Sequence, residues 1–471
     1  MTIALQGHDT VLHKSQLSSK QCSPSSQDGR NHSRGDIALA LHSDAGTELG
    51  INNGGTSFSP AEALAHSANL CACDPAPSPR TSHASRALRR EELARLAVLL
   101  AVCDSLTWQK QTLLNLKVKE WDKLLRWLDL SGMALYFLDW LAESNLCGML
   151  PAAVLTRLER NLVDNTERTR SMISESIAIQ REFQKAGIQY ANLKGLSLYP
   201  NSVPKPGLRL QFDLDFLVAE RHMPEARTIL DRRGYRLNLM SGRSWEFKFN
   251  QQPWLELKDI YNDFNSYGVD LHAEASIPGR PSSLDRLEWR ELYGLTMPSL
   301  SPVDLLLGQG LHAFKHIWGG YSRASHLLEF RRHVLSRRDD SAFWRELHGA
   351  ARQHPRASME LGVVILLITR VMGDFAPQAL TAWTVDSLCR SIRLWVELYG
   401  YRVALGRHPG DKLHLLLQKE FELAGFAQKQ KQPLRHSLLP LRMPAPVVRA
   451  LPDESLPGRM RRYSMYPQLI L

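Results

Sequence analysis

The stretch KGLSLYPNSVPKPGLRLQFDLDFLV, residues 194–218, decides the fold. Its second half, Leu210 to Val218, runs apolar or alternates in the manner of a largely buried β-strand. Asp213 and Asp215 interrupt that apolar run one residue apart, and the period of two puts both carboxylates on one face. Two like charges so close resist burial together unless a cation lies between them. A divalent metal resolves the conflict, and Mg²⁺ favours one or two carboxylates together with substrate phosphates. Arg209, just upstream, offers a planar fork suited to phosphate. Lys194-Gly195 follows a strand-like Ile188–Leu193 and is placed to bring an ammonium and backbone amides to a phosphate chain where a helix begins. Asp270, in a later strand-like Tyr267–Ala273, becomes a third carboxylate if that strand pairs beside the first acidic one.

The surroundings of this stretch divide the chain. Residues 1–85 hold a single aromatic, Phe58, in a chain with 11 Trp, 12 Tyr and 14 Phe. So little apolar material cannot offset ordering entropy, and a disordered N-terminal extension is expected there. Residues 86–186 read as a helical lead-in. Glu91–Val102 has helical apolar spacing, Trp121, Leu124, Leu125 and Leu128 share a face, and Thr166–Ala186 carries Ile173, Ile177 and Phe183 before Gly187. Residues 187–300 form the expected α+β core, with a helix at Pro224–Arg233 closed by Gly234, followed by three strand-like pieces. Ser301-Pro302, with Asp304 in the first turn, opens a helical region expected to reach residue 427. Residues 428–471 form a basic Pro/Arg-rich tail.

Composition narrows the function classes. The chain has 471 residues, 44% hydrophobic and 23% charged, enough for a sizeable core. No segment approaches the roughly 18 apolar residues a membrane helix needs, so no membrane insertion is expected. The opening MTIALQGHDT lacks the basic and apolar regions of a secretory signal. Six scattered cysteines form no disulfide framework, and a cytoplasmic location is expected. The formal net charge is +10, but eight basic residues face only two acidic ones in the tail from 428 onward. Most of the excess therefore sits in one terminal segment, and net charge alone does not define a nucleic-acid binder. P-loop, Rossmann and nucleophile-elbow signatures do not occur.

The ordered set of strand, Lys-Gly, helix, Arg-x-x-x-Asp-x-Asp, short helix and a later Asp-Leu-His resembles the DNA polymerase β-type nucleotidyltransferase superfamily. More narrowly, it is similar to an uncharacterised bacterial nucleotidyltransferase family. The matching residues are Trp121-Asp122, Leu193-Lys194-Gly195, Arg209, Asp213-Leu-Asp215-Phe-Leu-Val218, Asp270-Leu-His272 and His312-Ala-Phe-Lys315-His316, within about residues 86–400. Two positions depart from the pattern: Leu196 stands where a second Gly or a Ser is usual, and Glu329 stands nearest to an expected Asp. The resemblance implies a mixed polymerase β-like sheet embedded between helical segments. It also implies transfer of a nucleoside monophosphate from an NTP to a hydroxyl-type acceptor, which could be a small molecule, peptide, protein or RNA. Asp213, Asp215 and Asp270 would hold two Mg²⁺ or Mn²⁺ ions, and Lys194, Gly195, Ser197 and Arg209 would bind the nucleotide. His272, His312, Lys315 and His316 are substrate-contact candidates. Two alternatives stay open, a non-catalytic protein that keeps the fold to bind nucleotide or a partner, and an RNA-tailing enzyme. Oligomeric state is not legible. His312 and His316 share a helix face, but Ala313 occupies the place of the Glu in a zincin, which disfavours zinc on sequence grounds. Trp318, His326 and His333 read as helix-packing residues.

Overall fold

The computed structural model describes residues 88–406 apart from 104–106, 250–256, 263–266, 275–280, 293 and 319–321. The expectations for residues 1–85, for 407–427 and for the tail lie outside the described residues. Helices α1 (Arg90–Val102), α2 (Thr107–Leu114), α3 (Val118–Ser131), α4 (Ala134–Glu143) and the long α5 (Ala152–Lys185) precede the first strand. Strands β1 (Tyr190–Asn192) and β2 (Asp213–Ala219), helix α6 (Met223–Arg232), and strands β3 (Tyr235–Ser241), β4 (Ser244–Phe249), β5 (Gly268–Glu274), β6 (Glu288–Leu292) and β7 (Leu295–Ser299) follow. Then come α7 (Pro302–Trp318), α8 (Ala324–Ser336), α9 (Ser341–Ala351), α10 (Ala357–Met372), α11 (Gln378–Thr381) and α12 (Arg390–Leu405). The fold is α+β, with one mixed sheet of order β3-β4-β5-β2-β1-β7-β6 between helical segments. Among the described residues no helix is long and apolar enough to cross a membrane.

Period-two alternation explains which face of the sheet is covered. Leu214, Phe216 and Val218 of β2, Val269 and Leu271 of β5, and Phe247 of β4 share one buried cluster with Ile179 and Phe183 of α5 and Ala226 and Leu230 of α6. The intervening residues Asp213, Asp215, Asp270, His272, Glu246 and Lys248 therefore stand on the opposite face. A larger apolar cluster joins α1, α3 and α4 to α7–α10 and α12, with Trp121, Leu124, Leu125 and Leu128 buried in it as the spacing predicts.

Several boundaries differ from the sequence reading. Strand β1 begins at Tyr190 rather than Ile188, because the Gly187 and Ile188 amides bond back to the end of α5 (3.1 and 3.0 Å). Strand β2 begins at Asp213 rather than Leu210: Arg168 Nε donates to the Gln211 carbonyl (3.1 Å), and the Phe212 ring packs against the guanidinium groups of Arg168 and Arg323. The buried face of α5 is Met172, Ser176, Ile179, Gln180 and Phe183, rotated from the expected stripe that contained Ile173 and Ile177. The hairpin β6–β7, not foreseen within 280–300, lengthens the sheet through a parallel contact of Asn192 with Ser299. Its pattern is hard to read, since Trp289 is exposed and Pro298 stands inside a strand. The start of α7 is as expected, with the Ser301 hydroxyl accepting from the Asp304 amide (3.1 Å).

Candidate active site

Strand pairing brings three acidic residues side by side. β2 and β5 run parallel with Asp215 opposite Asp270, and β4 runs antiparallel to β5 with Glu246 opposite Asp270. The row Glu246–Asp270–Asp215 thus crosses three neighbouring strands on the face opposite the α5 and α6 cluster. All three are buried, at 7%, 3% and 5% exposure respectively. Asp213 is half-buried at the start of β2, opposite Gly268. A pairing register, more than any single motif, builds this site.

The carboxylates are held differently. Asp215 Oδ1 receives the Lys194 ammonium at 3.0 Å and His272 Nε2 at 3.1 Å. Burial alone would push the Asp215 carboxyl up, but Lys194 and His272 outweigh it and hold the group well below the usual carboxylate range. Asp270 is pushed the other way. Burial first, then the charges of Asp213, Asp215 and Glu246, raise its proton affinity far above normal, with Lys194 opposing. Its Oδ1 is shielded from solvent and has no hydrogen-bond partner. A buried, orphaned carboxylate oxygen beside two other acids fits a cation better than it fits a packing role. The donor atoms of Asp215, Asp270 and His272 all lie within 4.8 Å of one another, a set that does not include Asp213.

Lys194, two residues beyond β1, is extended, and Gly195 follows at φ +67°. The positive φ favours glycine, and a Cβ there would also collide with the Gln211 side-chain amide. The helix expected after Lys194-Gly195 is instead a four-residue 3₁₀ turn, Gly195–Leu198. Pro200 disfavours helical Tyr199, which is extended at ψ 140°. Ser197 is buried in this turn, its hydroxyl donating to the Lys194 carbonyl at 3.3 Å.

Arg209 is 14% exposed at its side chain and already partnered. Its Nε donates to Glu329 Oε2 and its Nη1 to Gln211 Oε1, both at 3.2 Å. Gln211 Nε2 in turn donates to the Asp213 carbonyl (2.7 Å), and the Tyr136 hydroxyl donates to Glu329 Oε1 (2.9 Å). A polar chain therefore runs from α4 and α8 to the first residue of the acidic strand. The buried Glu329 carboxylate holds Arg209.

The remaining sequence candidates form a second group. His312 and His316 on α7 have their Nε2 atoms 3.1 Å apart, and Lys315 between them is exposed. Sequence reasoning missed two participants. Glu246 completes the acidic row, and its signal was the alternation in Ser244-Trp-Glu-Phe-Lys-Phe249. His326, expected as a packing residue, joins His312 and His316, with ligand atoms of all three within 4.8 Å of one another.

With this geometry in view, a protein-family comparison matches residues 117–372 to a family described as uncharacterised nucleotidyltransferases. The chain belongs to that nucleotidyltransferase family. The match spans α3 to α10 and contains the acidic row, Lys194, Arg209 and the three histidines. No curated protein matches the chain significantly.

Proposed function

We propose that the face bearing Asp215 and Asp270 transfers a nucleoside monophosphate from an NTP to a hydroxyl-type acceptor with the help of divalent cations. The observation that carries this reading is the buried Asp215–Asp270 pair in register, with Asp270 Oδ1 unpartnered. Family membership supports the reaction class. Asp215 and Asp270, with Asp213 at the rim, would hold Mg²⁺ or Mn²⁺, which supplies charge neutralisation at the α-phosphate.

The chain's own groups divide the remaining work. The Asp270 carboxylate, ionised once a cation offsets its acidic neighbours, accepts the proton of the acceptor hydroxyl. The acceptor oxygen forms a bond to the α-phosphorus as the bond from that phosphorus to the β-phosphate bridging oxygen breaks, and pyrophosphate leaves. The Lys194 ammonium, anchored 3.0 Å from Asp215, places a positive charge beside the triphosphate. Gly195 keeps the approach clear of a side chain. Arg209, with two of its nitrogens bonded to Glu329 and Gln211, fixes the start of β2 and adds a cation at the rim.

The test incubates the full chain with each of four α-³²P-labelled NTPs, Mg²⁺ and acceptor fractions. Label entering an acceptor with equimolar pyrophosphate release supports the reading. Saturable NTP binding with no pyrophosphate release would favour the non-catalytic alternative.

A further inference from the structure

We propose that His312, His316 and His326 form a second metal site, a three-imidazole seat for a divalent transition ion of the zinc class, distinct from the carboxylate face. Four-residue spacing on α7 puts His312 and His316 on one side of that helix, and His326 enters from the first turn of α8. The ring centroids are 4.5 Å apart for His312–His316, 5.2 Å for His312–His326 and 4.8 Å for His316–His326. One ligand nitrogen from each ring lies within 4.8 Å of the other two. Bonds of about 2.0–2.1 Å in a tetrahedral zinc site set neighbouring nitrogens about 3.3 Å apart. The Nε2 atoms of His312 and His316 stand at 3.1 Å, so two of the three donors are already close to that spacing.

A second observation points to a ligand. His326 Nδ1 is shut off from solvent without a hydrogen-bond partner. A buried polar nitrogen left so costs free energy that direct ligation at that nitrogen would recover. Three imidazoles with no carboxylate match zinc, cobalt, nickel or copper and not Mg²⁺, which requires oxygen. The two sites would therefore hold different ions.

The nearby charges oppose a cation. Arg209 and Arg323 both act on His326. The buried Glu329 pairs with Arg209, and Arg323 lies over the Phe212 ring at 5.3 Å. A three-histidine ion keeps a position for solvent or another ligand, which completes the site.

The test is metal binding by the untagged full-length chain, first stripped with a chelator and then given Zn²⁺ or Co²⁺. One equivalent should be retained through gel filtration. The Co²⁺ form should show intense visible bands of a four- or five-coordinate nitrogen site, without the near-ultraviolet charge-transfer band of a cysteine thiolate. His316→Gln and His326→Gln should each weaken affinity by at least about tenfold, whereas Asp215→Asn should retain the ion. Retention of the ion by both histidine variants, thiolate bands, or no stoichiometric uptake by the parent chain would overturn the proposal. Should a histidine variant fail to fold, the Co²⁺ spectrum of the parent chain decides.

Discussion

The acidic row and the histidine trio are both clusters of donor atoms, yet the chain builds them by opposite means. Asp215, Asp270 and Glu246 come from three strands and meet because backbone ladders fix a register. His312 and His316 come from one helix and meet by spacing alone, with His326 added by the next helix. The acidic row is costly to leave ionised, as the proton affinity of Asp270 shows, raised first by burial and then by repulsion from its acidic neighbours. The histidine trio gathers no carboxylates to repel one another. A cation is therefore needed to relieve the first site, while the second is tolerable without one. The polar chain Tyr136–Glu329–Arg209–Gln211–Asp213 begins on α4, passes through Glu329, three residues after His326 on α8, and ends at the acidic strand.

The largest expected effect separates the two clusters directly. Asp215→Asn should lower pyrophosphate release by more than about 100-fold, because an amide cannot replace a metal-ligating carboxylate beside Lys194. His316→Gln should cost far less in the same assay; equal losses at both positions would join the two clusters into one site.

Next comes the link between them. Glu329→Gln removes the anion that partners Arg209 inside the protein. Stranding that guanidinium should cost about 3 kcal/mol in urea unfolding. A change under about 0.5 kcal/mol would mean that solvent or another acid already serves Arg209.

A smaller effect is expected at the phosphate-side turn. Gly195→Ala meets both the positive φ and Gln211, and should destabilise by about 1–2 kcal/mol while lowering NTP affinity. Unchanged calorimetric affinity for NTP with Mg²⁺ present would remove Gly195 from the site.

Legibility from sequence followed the range of the interactions. The face shared by Asp213 and Asp215 was readable, because alternation in a strand is local. The pairing of Asp270 beside Asp215 was readable only as a condition, since register depends on partners distant in sequence. Glu246 was missed for that reason: Trp245, Phe247 and Phe249 announce a strand, but nothing local says which neighbour it takes. His326 was missed because the helix crossing that delivers it to His312 and His316 leaves no periodic signature. Arg209 read as a free phosphate fork, and the buried Glu329 that occupies it lies 120 residues away. The hairpin Glu288–Ser299 escaped because one of its large apolar residues, Trp289, faces outward.

Asp270→Asn tests the central claim most directly, because it sets stability against activity. The wild-type carboxyl binds its proton more tightly in the native state than in the unfolded one. Stability therefore falls as pH rises above the ordinary carboxylate value near 4, and the asparagine variant escapes that loss. Without metal at pH 8 the variant should melt about 2 °C or more above the parent, a gap that closes below about pH 4. In the same preparation, transfer of α-labelled nucleotide with Mg²⁺ should fall to background. A variant that is both more stable and inactive cannot be explained by misfolding. Retained transfer, or a loss of transfer accompanied by a lower melting temperature at pH 8, would contradict the assignment of this carboxylate to the reacting centre.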